Sequence, residues 1–173
     1  MRKPNYWISK EEWILACKNV ENRINNSKDL YPIRNRFKNI IQTLFECYLI
    51  EELYKSRPSL YHPDDNSGIA DIACRLTGNS TEVKCCIQKN AQFSNGSFQT
   101  STENFLFILF DREEYDKSFK IKIKNIWYGN MSYKLWPCRF NRAGDPTSMW
   151  ICENKIKQYC EEIFNANEIK IAA

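Results

Sequence analysis

The hydrophobic positions along this chain change their period partway through, and the predicted elements follow from that change. Trp13, Ile14, Cys17, Val20 and Ile24 recur at the spacing of one helix face. They follow Ser9-Lys10-Glu11-Glu12, which has the form of a capping box. A first helix is therefore predicted over about 9–25, closed by Asn25-Asn26-Ser27. A second is predicted over about 34–55, after Tyr31-Pro32 breaks the chain. Its apolar residues, from Phe37 and Ile40 to Leu49 and Leu53, cover most of its circumference, so it should pack on more than one neighbour. Glu46 lies within that apolar arc, where a carboxylate is costly unless it finds a partner or reaches water.

From Arg57 to Gly68 the chain is rich in Pro, Asp, Asn and Ser, which marks a loop. Strand-like runs follow. Gly68 to Cys74 and Thr81 to Ile87, joined by Thr77-Gly78-Asn79-Ser80, predict a hairpin over about 68–87. Gln88 to Asn104 reads as a long polar loop. Phe105 to Phe110 is an unbroken apolar run suited to a strand buried on both faces. Phe119 to Ile126 alternates, with Lys120, Lys122 and Lys124 on one face, so strands are expected over about 104–128. Met149 to Cys152 suggests a further short strand. A closing helix is predicted over about 153–165, with Ile156, Tyr159, Cys160 and Ile163 inward and frayed residues from Asn165 onward. Helices, then strands, then a helix give an α/β (α+β) fold, a mixed β-sheet flanked by α-helices. No linker divides the chain, so 1–173 reads as one domain.

Composition narrows the class. A chain of 173 residues with 43% hydrophobic residues can bury a core, and 27% charged residues without a long one-sign run argue against disorder. The net charge of +4 permits a polyanionic partner without demanding one. Eight cysteines lack any C-x-x-C spacing, and a single histidine leaves no zinc pattern, so free thiols in a reducing compartment are expected. The N-terminal stretch has no secretory h-region, and no window approaches the roughly 18 apolar residues of a membrane span. A soluble, cytoplasmic protein without a membrane partner is the expectation. No P-loop and no G-x-G-x-x-G is present, which disfavours ATP and NAD chemistry. His62 lacks a second histidine-type base, so a nucleophilic triad is not supported.

The chemistry concentrates in GIADIACRLTGNSTEVKCC. A hairpin there sets Asp71 across from the Glu82–Lys84 segment. Residues two apart in a strand share a face, so Glu82 and Lys84 point one way and Val83 into the core. Two close carboxylates favour a hard divalent cation. Mg²⁺ needs only one or two of them, with the Val83 carbonyl as a further oxygen ligand. Lys84 would hold an attacking water and offset developing negative charge.

This constellation resembles the PD-(D/E)xK nuclease superfamily, which includes most type II restriction endonucleases. The resemblance rests on Asp71, Glu82-Val83-Lys84 and the order of elements around them. It implies a restriction-endonuclease-like fold, a Mg²⁺ cofactor held by Asp71, Glu82 and Val83, and catalysis by Asp71, Glu82 and Lys84. The family's frequent helix glutamate corresponds to Glu46. The implied activity is cleavage of double-stranded DNA at a short specific sequence by a homodimer, with a cognate DNA methyltransferase acting on the same site. One departure matters: the family's Pro-Asp pair occurs here as Pro63-Asp64, while Asp71 lacks a preceding proline. Asp64 and Asp65 therefore stand as alternatives to Asp71. For DNA contacts the residue types point to Gln88, Lys89, Asn90, Gln92 and Asn95 after the catalytic strand, and to Arg139, Asn141 and Arg142. A structure-selective nuclease, such as a Holliday-junction resolvase, and a non-catalytic DNA-binding domain are the competing readings.

Overall fold

The computed structural model of this chain describes residues 6–28, 30, 38–61, 71–87, 92–95, 102–132, 135–140 and 146–169. Helix α1 spans Lys10–Asn26. It starts where the Ser9 hydroxyl accepts the Glu12 N–H at 3.2 Å, the capping the sequence predicts. Its stripe of Trp13, Ala16, Cys17, Val20 and Ile24 is buried. Its polar residues are used as well: the buried Glu21 accepts the Ile123 N–H at 2.9 Å and pairs with Lys18 at 2.7 Å. The Asn25 amide bonds both the N–H and the C=O of Ile121, at 2.9 and 2.7 Å.

Helix α2 spans Lys38–Tyr54. Its buried residues Ile41, Phe45, Leu49 and Leu53 lie against the sheet core, and its outer side meets α1 through Arg23–Glu51 and Asn19–Glu52. After it, Arg57 forks onto Glu12 with Nε and Nη2 at 2.7 and 2.8 Å. The predicted start of this helix before Lys38 lies outside the described residues.

The strands are β1 Leu60–Tyr61, β2 Ile72–Cys74, β3 Ser80–Cys86, β4 Gln92–Asn95, β5 Thr102–Phe110, β6 Ile123–Ser132, β7 Cys138–Phe140, β8 Pro146–Cys152 and β9 Glu161–Asn165. Six of them form one mixed sheet in the order β1-β2-β3-β5-β6-β9, flanked by helices. Among the described residues of this sheet, only β3 and β5 pair in parallel. The central strand β5 is buried on both faces, as its apolar run predicts: Leu106, Ile108 and Phe110 join the core under α1 and α2, while Phe105, Phe107 and Leu109 join a second core. That second core is roofed by a three-stranded antiparallel sheet, β4-β8-β7, through Phe93 and Ile151.

Several predicted elements need correction. The polar Gln88–Asn104 stretch contains β4 and the start of β5, because β4 pairs with β8 far along the chain. Helix α3, Arg112–Ser118, interrupts the predicted strands over 104–128, and β6 begins at Ile123 rather than Phe119. Asp111 caps α3 by accepting the Glu113 and Glu114 N–H groups, and Tyr115 is its single buried anchor. The closing helix α4 covers only Glu153–Tyr159; the chain then turns at Cys160 into β9. Ala166–Ile169 forms a short helix, α5, instead of fraying.

At β6, Gly129 lies so close to that turn that a Cβ there would meet the Cys160 Cα at 2.8 Å. Among the described residues no helix is long and apolar enough to cross a membrane. The seven cysteines whose side chains are described all carry free thiols.

Candidate active site

The site begins with a tight turn. Gly78 adopts φ +68°, a left-handed conformation that favours glycine, and donates to the Cys74 C=O at 2.9 Å. This reverses β2 into β3. The antiparallel register pairs Ile72 with Thr81 and Ala73 with Ser80, and among the described residues it goes no further. From Glu82 onward the β2-facing edge of β3 therefore has no described strand partner.

Side chains occupy that edge instead. Asp71 lies in a bend just before β2, not within a strand as predicted, and one register step beyond Ile72 sets it against Glu82. Its Oδ2 accepts the Val83 N–H at 2.8 Å. Two residues on, the Cys85 N–H lies near enough to the Glu46 carboxylate to favour its charged form. The Gln42 amide, one helical turn before Glu46, donates to the Cys85 C=O at 3.0 Å. The N–H and C=O of one strand residue point to the same side, so the Val83 carbonyl shares this edge.

Val83 is fully buried, and Glu82 and Lys84 lie on the opposite face of β3. That face is shared with their register partners Phe105 and Phe107, on the side of the second core. The Lys84 ammonium pairs with Glu82 Oε1, and both side chains are largely buried. Burial works against the Lys84 charge, but Glu82, Asp71 and Glu46 outweigh it and hold its pKa above the ordinary lysine value. Glu46 is displaced the other way. Burial and then the Asp71 charge, with a smaller push from Glu82, lift its carboxyl to about 8 against the pull of Lys84 and the Cys85 N–H. Cys85 is half-buried beside Glu46, and burial, then the Glu46 charge, pushes its thiol well above the ordinary range.

Glu46, Asp71, Glu82 and Lys84, dispersed over α2, the β2 bend and β3, thus interact with one another at one place. Their oxygen-only donor set suits a hard cation, and the ammonium suits an anion. Among the described residues no three His, Cys, Asp or Glu side chains already stand as a metal cage. Asp71 and Glu82 each have a partner in the protein, as described above.

His62, Asp64 and Asp65 lie outside the described residues, as do Gln88, Lys89, Asn90, Asn141 and Arg142. Gln92 and Asn95 belong to β4 and Arg139 to β7. Sequence reasoning missed Gln42. Its signal was present: a polar residue four before Glu46, on the same side of the helix. Lys120, Lys122 and Lys124 are exposed, but only Lys124 belongs to β6. No protein-family model and no curated protein matches this chain.

Proposed function

We propose that this chain is a Mg²⁺-dependent endonuclease of the PD-(D/E)xK kind, with a restriction-endonuclease-like fold, that hydrolyses double-stranded DNA at a short specific sequence. The observation that carries the reading is the gathering of Asp71, Glu82, Glu46 and Lys84 around the middle of β3. The mixed sheet with helices on its flank is the framework that such a site needs. Asp71, Glu82 and the Val83 carbonyl are the residues that would hold Mg²⁺. When bound, the ion supplies a polarised phosphoryl oxygen and a more acidic water. Lys84 orients the attacking water and balances charge on the phosphorus-bound oxygens. As the water oxygen bonds to phosphorus, the bond to the leaving sugar oxygen breaks. Glu46 sets the local charge: protonated it spares the cluster a third negative group, and ionised it adds one. By the same analogy the enzyme acts as a homodimer in the cytoplasm, beside a methyltransferase that modifies its site.

One observation favours a second reading, a DNA-binding domain without catalysis: the carboxylates already have partners within the protein. Digestion of a long mapped duplex with Mg²⁺ separates the two. The catalytic reading expects discrete fragments, and a loss of about 10²–10³-fold or more in Glu82→Gln and Lys84→Ala at retained DNA binding. A wild type that binds DNA but cuts nothing with Mg²⁺ or Mn²⁺ would refute it in favour of the second.

A further inference from the structure

Two chain segments that deliver acids to the site lead away from it to a common place. On α2, Tyr54 lies eight residues beyond Glu46, about 12 Å along the helix. On the hairpin, Arg75 lies four residues beyond Asp71, at most about 14 Å along the chain. Tyr54 and Arg75 both line one cleft.

That cleft has a volume of about 400 Å³, and its lining is Ile50, Glu51, Tyr54, Leu60, Tyr61 and Arg75. The last turns of α2 form one wall. The edge strand β1 forms the other, with Arg75 directly after its neighbour β2. Ile50 and Leu60 make the lining apolar, and the two tyrosines add ring surface. Tyr54 is 52% exposed, so its ring is not spent on the core. The Arg75 guanidinium lies over the Tyr61 ring, 5.0 Å from its centroid. Glu51, the one acid of the lining, is bound to Arg23 at 2.6 Å. Among the described residues Arg75 has no carboxylate partner, so the cleft offers a cation beside aromatic surface.

These features suit a flat ring joined to an anion. A ring stacks on tyrosine, while arginine both stacks and pairs with phosphate. A nucleotide has both parts. Its base can be reached this way only where it is unpaired, since in a duplex its neighbours cover both faces. The volume lies at the small end of ligand sites, which suits one nucleotide and not a duplex. The span back to the site, about 12–14 Å, matches about four stacked nucleotides.

We infer that this cleft holds an unpaired nucleotide of the DNA strand that enters the site, with the tyrosines on the base and Arg75 on the phosphate. The choice of DNA rests on the nuclease reading. The test is fluorescence anisotropy of the full chain with a labelled oligothymidylate and an abasic strand of equal length, in chelator, over a series of salt concentrations. The abasic strand should bind about 10-fold more weakly to wild type. Tyr54→Ala should weaken oligothymidylate binding about 10-fold, and Tyr54→Phe, which keeps the ring, should bind within twofold of wild type. Arg75→Gln should weaken binding and lower the salt slope by about 0.7.

A wild type that binds both strands equally or neither would overturn the inference. So would Tyr54→Ala and Arg75→Gln proteins that bind within twofold of wild type. Loss of a dimer in sedimentation of Tyr54→Ala, with DNA binding unchanged, would assign the cleft to a second copy instead. Digestion of duplex DNA with Mg²⁺ keeps this inference apart from the nuclease reading. A wild type that cuts, with cleft variants that bind like it, removes the cleft's role and leaves the nuclease standing. A wild type that binds single strands through Tyr54 and Arg75 but never cuts does the reverse.

Discussion

Glu46→Gln keeps an acceptor for the Cys85 N–H and removes the ionisable group, so the pH dependence of stability should separate it from wild type. In the folded protein, burial first and the Asp71 charge second hold the Glu46 carboxyl at about 8; unfolded, it titrates near its ordinary 4.5. Between those values the native state retains a proton that the unfolded chain has released. Stability contributed by this residue therefore falls as pH rises through that window, by about 1.4 kcal/mol per pH unit. The cost is absent below the unfolded value and complete above the folded one. From about pH 5.5 to about pH 7.5 the wild type should lose about 2–3 kcal/mol relative to Glu46→Gln. Urea denaturation of both proteins in chelating buffer, at half-unit pH steps, measures the difference directly. All other titrating groups are shared, so they cancel to first order. Parallel stability curves would refute the reasoning, for they would mean that Lys84 keeps Glu46 ionised throughout.

Three further outcomes are expected. Gly129→Ala forces a Cβ against the backbone of Cys160 as well as its sulfur, and should cost about 2–3 kcal/mol in urea denaturation. Lys84→Ala removes the ammonium that balances Glu82, Asp71 and Glu46; a loss of about 2–3 kcal/mol is expected, fully present below the ordinary lysine value of 10.5 and fading as pH rises through the raised one, with partial recovery in Lys84→Arg. Arg57→Ala should cost only about 0.5–1 kcal/mol, since its fork on Glu12 is partly exposed. Arg57 holds the Glu12 carboxyl below its ordinary 4.5, so this contribution is present above that value and fades as pH falls through the lowered one, a trend thermal melts in acid can follow.

Much of this architecture was written in local patterns. The Ser9 cap and the Trp13–Ile24 stripe mark α1, and the run from Phe105 to Phe110 marks a strand with both faces covered. Alternation in Thr81-Glu82-Val83-Lys84 separates the core-facing valine from its two charged neighbours. What stayed hidden depends on distant partners or on elements too short to repeat. Helix α3 offers a single buried residue, so no period exists to detect. Strand β9 follows α4 almost without a break, and only its pairing with β6 makes it a strand. The small sheet joins β4 to strands far downstream, and nothing within Gln88–Asn104 announces that. At the site, an acid on the hairpin was legible, but not that Asp71 would stand before the strand and use its carboxylate as a backbone substitute.

The shortness of β2 has a consequence of its own. A hairpin whose first arm ran further back would zip its main chain onto Val83 and Cys85 and meet their hydrogen-bonding needs with amides. Asp71, Glu46 and Gln42 would then be displaced from the places they now fill. The truncated arm trades a few ladder bonds for a notch in which acidic side chains are held by main-chain N–H groups, at a spacing fixed by the strand repeat. Lengthening that arm would therefore firm the sheet and scatter the acidic side chains.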